Sequence, residues 1–144
     1  MVTKLLYLET SYYYYILSEL REIKSVFLGL RTLYQTYFPK VDPSLVHSLL
    51  MSIEENPEKV PFYMVEIFTK PGTDSEKMRD YIMQKTGMVP SIHDNGTHYV
   101  VNQRLSLEFL KELSDLEEVI DIAGDYTGGV TGRGASHEQR GTSA

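Results

Sequence analysis

Apolar residues recur along the first quarter of the chain at Tyr13, Ile16, Leu20, Ile23, Phe27, Leu30, Tyr34 and Tyr37, in alternating steps of three and four. That spacing is a sustained heptad seam and predicts one continuous α-helix over residues 11–38. Thr10 or Ser11 can cap its start and Pro39 ends it, giving a rod of about 42 Å. Leu17, Val26, Leu28 and Leu33 widen the stripe, so the helix is expected to pack on more than one neighbour. Asp42-Pro43 then signals a second helix, with aspartate as cap and proline in the first position. Leu45, Val46, Leu49, Leu50 and Ile53 form its apolar face, and Asn56-Pro57 stops it. Residues 1–60 thus read as a helical hairpin with one long and one short arm. Tyr13, Leu20, Phe27 and Tyr34 mark its expected oligomerisation seam, which buries against a second copy or against the chain's own sheet.

From residue 61 the period changes. Pro61–Thr69 is apolar on both faces, Tyr63, Val65 and Ile67 alternating with Phe62, Met64 and Phe68, the mark of a central strand buried on both sides. Thr73-Asp74-Ser75-Glu76 fits a capping box that opens a helix carrying Met78, Tyr81 and Ile82 and closing at Gly87. Asn95-Gly96 predicts a two-residue hairpin turn, which sets His93 opposite His98, Ile92 opposite Tyr99 and Pro90 opposite Val101. Pro90 has no N–H to give a ladder, so the 88–94 strand belongs at a sheet edge. Ser106 caps the next helix, Leu105 and Leu110 form a hydrophobic staple, and Val119–Ala123 is the last strand. The order strand, helix, strand, strand, helix, strand is the split βαβ arrangement. The expected fold is therefore α+β: a helical hairpin (1–60), a ferredoxin-like βαββαβ domain with an antiparallel sheet (61–126), and a flexible tail (127–144).

Composition narrows the function classes. The tail holds 5 glycines in 18 residues, too few apolar groups to pack. No apolar run approaches the length of a membrane span, and the N-terminus lacks the long apolar stretch and cleavage site of a signal peptide, so a cytoplasmic protein is expected. There is no cysteine, hence no disulfide, thiolate metal site or cysteine nucleophile. Net charge is −6, and residues 61–126 carry 12 acidic against 6 basic side chains, which argues against nucleic acid as a partner.

Candidate chemistry is sparse. The cross-strand pair His93–His98 is the nearest approach to a metal site, but strand alternation puts Asp94 on the opposite face, leaving two ligands and a solvated pair. No metal and no cofactor is expected. His47 and His137 read as exposed. No serine sits in a nucleophile elbow, and the glycines near 128–132 do not lie between a strand and a helix, so no catalytic residue is assigned. Glu117, Glu118 and Asp121 read as a solvated acidic patch. The run Tyr12–Tyr15 covers every side of its helix, which suits either an interface or ordinary amphipathic packing.

Tyr63-Met64-Val65-Glu66-Ile67-Phe68-Thr69-Lys70-Pro71-Gly72-Thr73 is similar to the first strand and K-x-G turn of the subtilisin-propeptide peptidase inhibitors. The passage from Leu110 to Ile122 resembles that family's L-x-x-L…V-x-x-V entry into the last strand, and Asp125 stands where the family ends the strand with an acidic residue. The resemblance spans residues 62–126; the first 60 residues have no counterpart. It implies a domain whose open sheet face packs on a protease while the chain after the last strand lies in the active-site cleft. Ser91, His93, His98, Val100 and Asn102 would form that face. Ala123, Asp125 and Tyr126 would enter the cleft, Tyr126 in the pocket before the scissile bond. Alignment through Asp125 shifts the cleft segment instead to about Gly128–Thr131.

The expected function is a non-enzymatic protein-interaction module that acts on itself, as a homo-oligomer, or on a protein partner such as a subtilisin-like protease. One rival is a self-associating regulatory domain that binds a small ligand at a subunit interface. Another is a cofactor-free dimeric α+β barrel enzyme using His93 or His98.

Overall fold

The computed structural model describes residues 2–128. Four α-helices and a four-stranded antiparallel sheet follow in the order α1 (Val2–Tyr37), α2 (Pro43–Glu55), β1 (Phe62–Thr69), α3 (Ser75–Thr86), β2 (Ser91–His93), β3 (His98–Arg104), α4 (Leu107–Asp115) and β4 (Val119–Gly128). The spatial strand order is β2-β3-β1-β4. The core joins Tyr63, Val65 and Ile67 of β1, Tyr99 and Val101 of β3 and Val119 and Ile122 of β4 to Leu45, Val46 and Leu49 of α2, Met78 and Ile82 of α3, and Phe109, Leu110 and Leu113 of α4. These three helices cover one face of the sheet. α2 thus shares its core with the strands, and Tyr63 Oη fixes it there through hydrogen bonds with Ser48 Oγ (2.7 Å) and Ser52 Oγ (3.2 Å).

Local chemistry sets most element ends. Asp42 caps α2, accepting from the Ser44 amide at 2.9 Å, and Gly87 closes α3 at φ 73°, where a side chain would be strained. The cap of α3 is Asp74 rather than Thr73: its Oδ1 accepts from the amides of Glu76 and Lys77, while the Thr73 hydroxyl donates to Lys70 O. Ser106 Oγ caps α4 by accepting from the Phe109 amide at 3.1 Å. α3 and α4 are joined by the Lys85–Glu112 ion pair at 2.9 Å, whose hydrogen bond holds the Glu112 carboxyl below its usual range.

Four expectations need correction. α1 does not start at Thr10 or Ser11 but runs back to Val2, for 36 residues and about 54 Å. No glycine precedes Gly29 and no proline precedes Pro39, so nothing in the sequence stops the helix at a capping residue. Nor does α1 cover the sheet: among the described side chains, Tyr34 in its last turn and Phe38 just past its end are the ones that pack against the core. β1 is central, paired to β3 on one side and β4 on the other, but is buried on one face only; Met64 on the other face is 38% exposed. Finally, β4 does not end at Ala123. It continues to Gly128, paired with β1 as far as Phe62. Gly124 is needed in that stretch, because a Cβ there would stand 2.6 Å from Met64 O. The tail expected over 127–144 falls, from residue 129 on, outside the described residues; Thr127 and Gly128 belong to β4.

The outer edge of β4 is sealed at one point. Ile122 N donates to Lys40 O and Asp42 N donates to Ile122 O, both at 2.8 Å, as part of a parallel bridge between Val41 and Ile122. Lys40 Nζ adds a 2.6 Å bond to Leu116 O. This covers part of an exposed edge and ties the junction between α1 and α2 to the sheet.

Gln103, on β3 opposite Tyr63, is fully buried, and neither its side-chain nitrogen nor its oxygen has a hydrogen-bond partner. A buried amide in that state costs about 1–3 kcal/mol. Gln103→Met keeps the length without the polar atoms, and denaturant unfolding is expected to show a gain of about 1–2 kcal/mol. A loss of stability would mean that the amide is satisfied and the assignment wrong.

Candidate functional site

The hairpin end of the uncovered sheet face carries the histidine pair. The register is as the turn residues predict, with His93 opposite His98 and Ile92 opposite Tyr99, but β2 begins at Ser91 and leaves Pro90 outside the ladder. The turn is wider than two residues. Asp94, Asn95 and Gly96 take positive φ of 52°, 57° and 84°, closed by Thr97 N on Asp94 O. Tyr99 Oη donates to Gly96 O at 2.8 Å from beneath, and burial, then the Asp74 carboxylate, push its phenol above the usual range.

The left-handed backbone at Asp94 breaks strand alternation, which corrects its expected placement on the far face. Asp94 Oδ2 stands 3.6 Å from His98 Nδ1, and Glu66 Oε1 stands 3.2 Å from His98 Nε2. The His98 ring stacks on Phe68 at 4.5 Å and 9°, with the His93 ring 5.5 Å away. Both nitrogens of His98 therefore face carboxylates, and the residue acts as a clamp between β1, β3 and the turn. Among the described residues no group of three His, Cys, Asp or Glu side chains could hold a metal ion. Sequence reasoning missed Glu66 and Phe68, because they reach His98 only through the β1–β3 register, a long-range pairing.

The rest of this face is mixed. Phe62, Met64 and Phe68 alternate with Glu66 on β1, beside Val100, Asn102 and Arg104 on β3. The Arg104 guanidinium lies 5.4 Å from the Phe62 ring centre, and Thr127 Oγ1 donates to Asn102 Oδ1 at 2.8 Å. Ser91, His93 and Asn102 are exposed and His98 and Val100 half-buried, so the five residues expected to form a contact face do share one uncovered surface.

The expected cleft residues lie elsewhere in kind. Ala123, Asp125 and Tyr126 are not in an extended segment beyond the last strand but inside β4, opposite Glu66, Met64 and Tyr63 respectively. Tyr126 packs edge-on against Tyr63 at 5.5 Å and keeps about half its surface exposed. Of the alternative segment Gly128–Thr131, only Gly128 is among the described residues.

The largest unsatisfied feature is α1. Tyr13 is 61% exposed, Leu20 55%, Ile23 65% and Phe27 62%, with Tyr12, Val26, Leu33 and Tyr37 between 53% and 68%. Of the expected oligomerisation residues, Tyr34 packs against the core, its hydroxyl 2.9 Å from His47 Nδ1. Below it, α1 and the start of α2 enclose an open groove of about 370 Å³ lined by Phe27, Leu30, Tyr34, Pro43 and His47. His47, read from sequence as exposed, is exposed, and it meets Tyr34 because α2 turns back beside α1. Among the described residues no helix is long and apolar enough to cross a membrane.

Comparison of the chain with protein-family models, with curated proteins and with solved structures finds no match.

Proposed function

We propose that the chain is a non-enzymatic protein-interaction module in which a ferredoxin-like βαββαβ unit carries a long docking helix, and that α1 docks on further copies of the same chain. The element order after residue 61 and the strand order β2-β3-β1-β4 support the ferredoxin-like reading. The observation that carries the function is the heptad stripe of α1, exposed at Tyr13, Leu20, Ile23 and Phe27 while the core engages the helix at Tyr34.

Magnitudes favour association. Each large apolar side chain now more than half exposed contributes about 1–2 kcal/mol when a partner covers it. α1 of each copy carries ten of them, whose burial outweighs a rigid-body association cost of about 4–15 kcal/mol. Left in water, the same helix has little tertiary packing to hold it, since long isolated helices depend on a buried apolar face. Leu20→Ala with Phe27→Ala removes two seam residues that touch no part of the chain's own core. Sedimentation is expected to show loss of self-association, while the thermal midpoint of the sheet core, followed at high dilution, stays within a few degrees. Unchanged association would overturn the reading, and collapse of the core would place the seam inside the fold.

A second reading, inhibition of a subtilisin-like protease, is favoured by the uncovered sheet face bearing Ser91, His93, His98, Val100 and Asn102. Its cleft contact would have to come from residues beyond β4, or from β4 after it peels from β1. The test is inhibition of a subtilisin-type protease by the intact chain. Inhibition that weakens by about tenfold or more in Tyr126→Ala supports it, and absence of inhibition removes it.

A further inference from the structure

We infer that α1 assembles as a parallel, in-register bundle of more than two copies, in which Glu19 of each copy meets Lys24 of the next. The inference rests on the self-association proposed above and adds its orientation, its register and its minimum size.

The seam supplies the frame. Steps of three and four put Tyr13, Leu20 and Phe27 at the first core position of successive heptads (a) and Ile16, Ile23 and Leu30 at the second (d). Phe27, still 62% exposed, stands at the rim of the groove, and from Leu30 on the chain's own α2 and core take one side of the helix, through that groove and through Tyr34 and Phe38. The free seam is therefore the part from Tyr13 to Phe27, which projects past the core. In this frame Glu19 occupies the flanking g position and Lys24 the e position of the next heptad. These are the two places that face each other across a parallel, in-register interface.

Charge then decides between orientations that burial alone would leave equal. Parallel and in register, the one doubly charged flanking pair is Glu19 with Lys24 of the neighbour, and it is attractive. In the antiparallel arrangement that overlaps the free seam most fully, Leu20 lies opposite Ile23. Lys24 then faces Leu17, Arg31 faces Thr10 and Glu19 faces Val26, so no charge is paired. Sliding that arrangement by one heptad either way sets Lys24 against Lys24 or Glu19 against Glu19, which is repulsive. Within its own helix each residue sits beside a like charge three positions away, Glu22 for Glu19 and Arg21 for Lys24. The parallel contact relieves both.

The count follows from the core residues. Leucine at the first core position with isoleucine at the second, as in Leu20 and Ile23, shifts parallel coiled coils from two strands toward three or four. Tyr12 and Leu17, with Val26 and Leu33, extend the apolar surface into the flanking positions, and a two-stranded seam would leave that width in water.

The test uses the whole chain, which contains no cysteine. Glu19→Lys and Lys24→Glu are each expected to raise the dissociation constant by about tenfold, and the double reversal to restore it. Ile16→Cys is expected to form an intermolecular disulfide with itself. In the antiparallel overlap the two Ile16 positions would be about 16 Å apart along the axis, and Ile16→Cys would instead cross-link to Phe27→Cys in a mixture. Sedimentation equilibrium is expected to give at least three times the chain mass. An oligomer that cross-links 16 to 27, ignores the charge reversals or stops at two chains overturns this inference and leaves self-association standing. A chain that remains monomeric overturns the function proposed above and this inference with it.

Discussion

The arrangement of the molecule depends on two backbone hydrogen bonds at Ile122. Its amide donates to Lys40 O and its carbonyl accepts from Asp42 N, while its side chain lies in the core. Pro39 prevents α1 from continuing into this bridge, and Pro43, one residue past it, starts α2 at once. Pinned so closely to the sheet, α2 has to lie across the core face, where Leu45, Val46 and Leu49 complete the packing. α1 leaves from the other end of the same bridge and touches the core only with its last turn and Phe38. One short bridge thus decides which of two amphipathic helices is used to build the fold and which is left for something else.

Much of the fold was legible because local chemistry specifies it. Asp42-Pro43 opens α2, Gly87 closes α3, Ser106 opens α4, and Asn95-Gly96 sets the His93–His98 register. What failed was in each case decided by distant partners or by backbone. β4 runs past Ala123 because main-chain bonds to β1 carry the strand through Gly124 and Asp125, which have no strand preference of their own. Asp94 turns to His98 because a left-handed residue suspends the alternation on which its placement relied. The apolar pattern of β1 on both faces was real, but a pattern cannot tell a face covered by its own chain from one left open.

The candidate sites divide along the same line. The heptad seam, the histidine pair and the open sheet face were visible as lists of residues; which of them the fold consumes was not. His98 is held between Glu66 and Asp94 and serves structure. Tyr126 belongs to β4. The seam from Tyr13 to Phe27 keeps its apolar surface, and the aromatic run Tyr12–Tyr15 at its far end stays more than 60% exposed. A folded core that leaves its longest helix outside is the physical basis for reading this chain as an assembling protein.

The most direct test of that reading is amide hydrogen exchange along the intact chain at several protein concentrations. Backbone amides between residues 13 and 27 should be protected at high concentration and lose protection on dilution, while amides of β1 and β3 exchange at the same slow rates throughout. Protection of residues 13–27 that does not change with concentration would contradict the account, because it would mean that α1 is stabilised within a single chain.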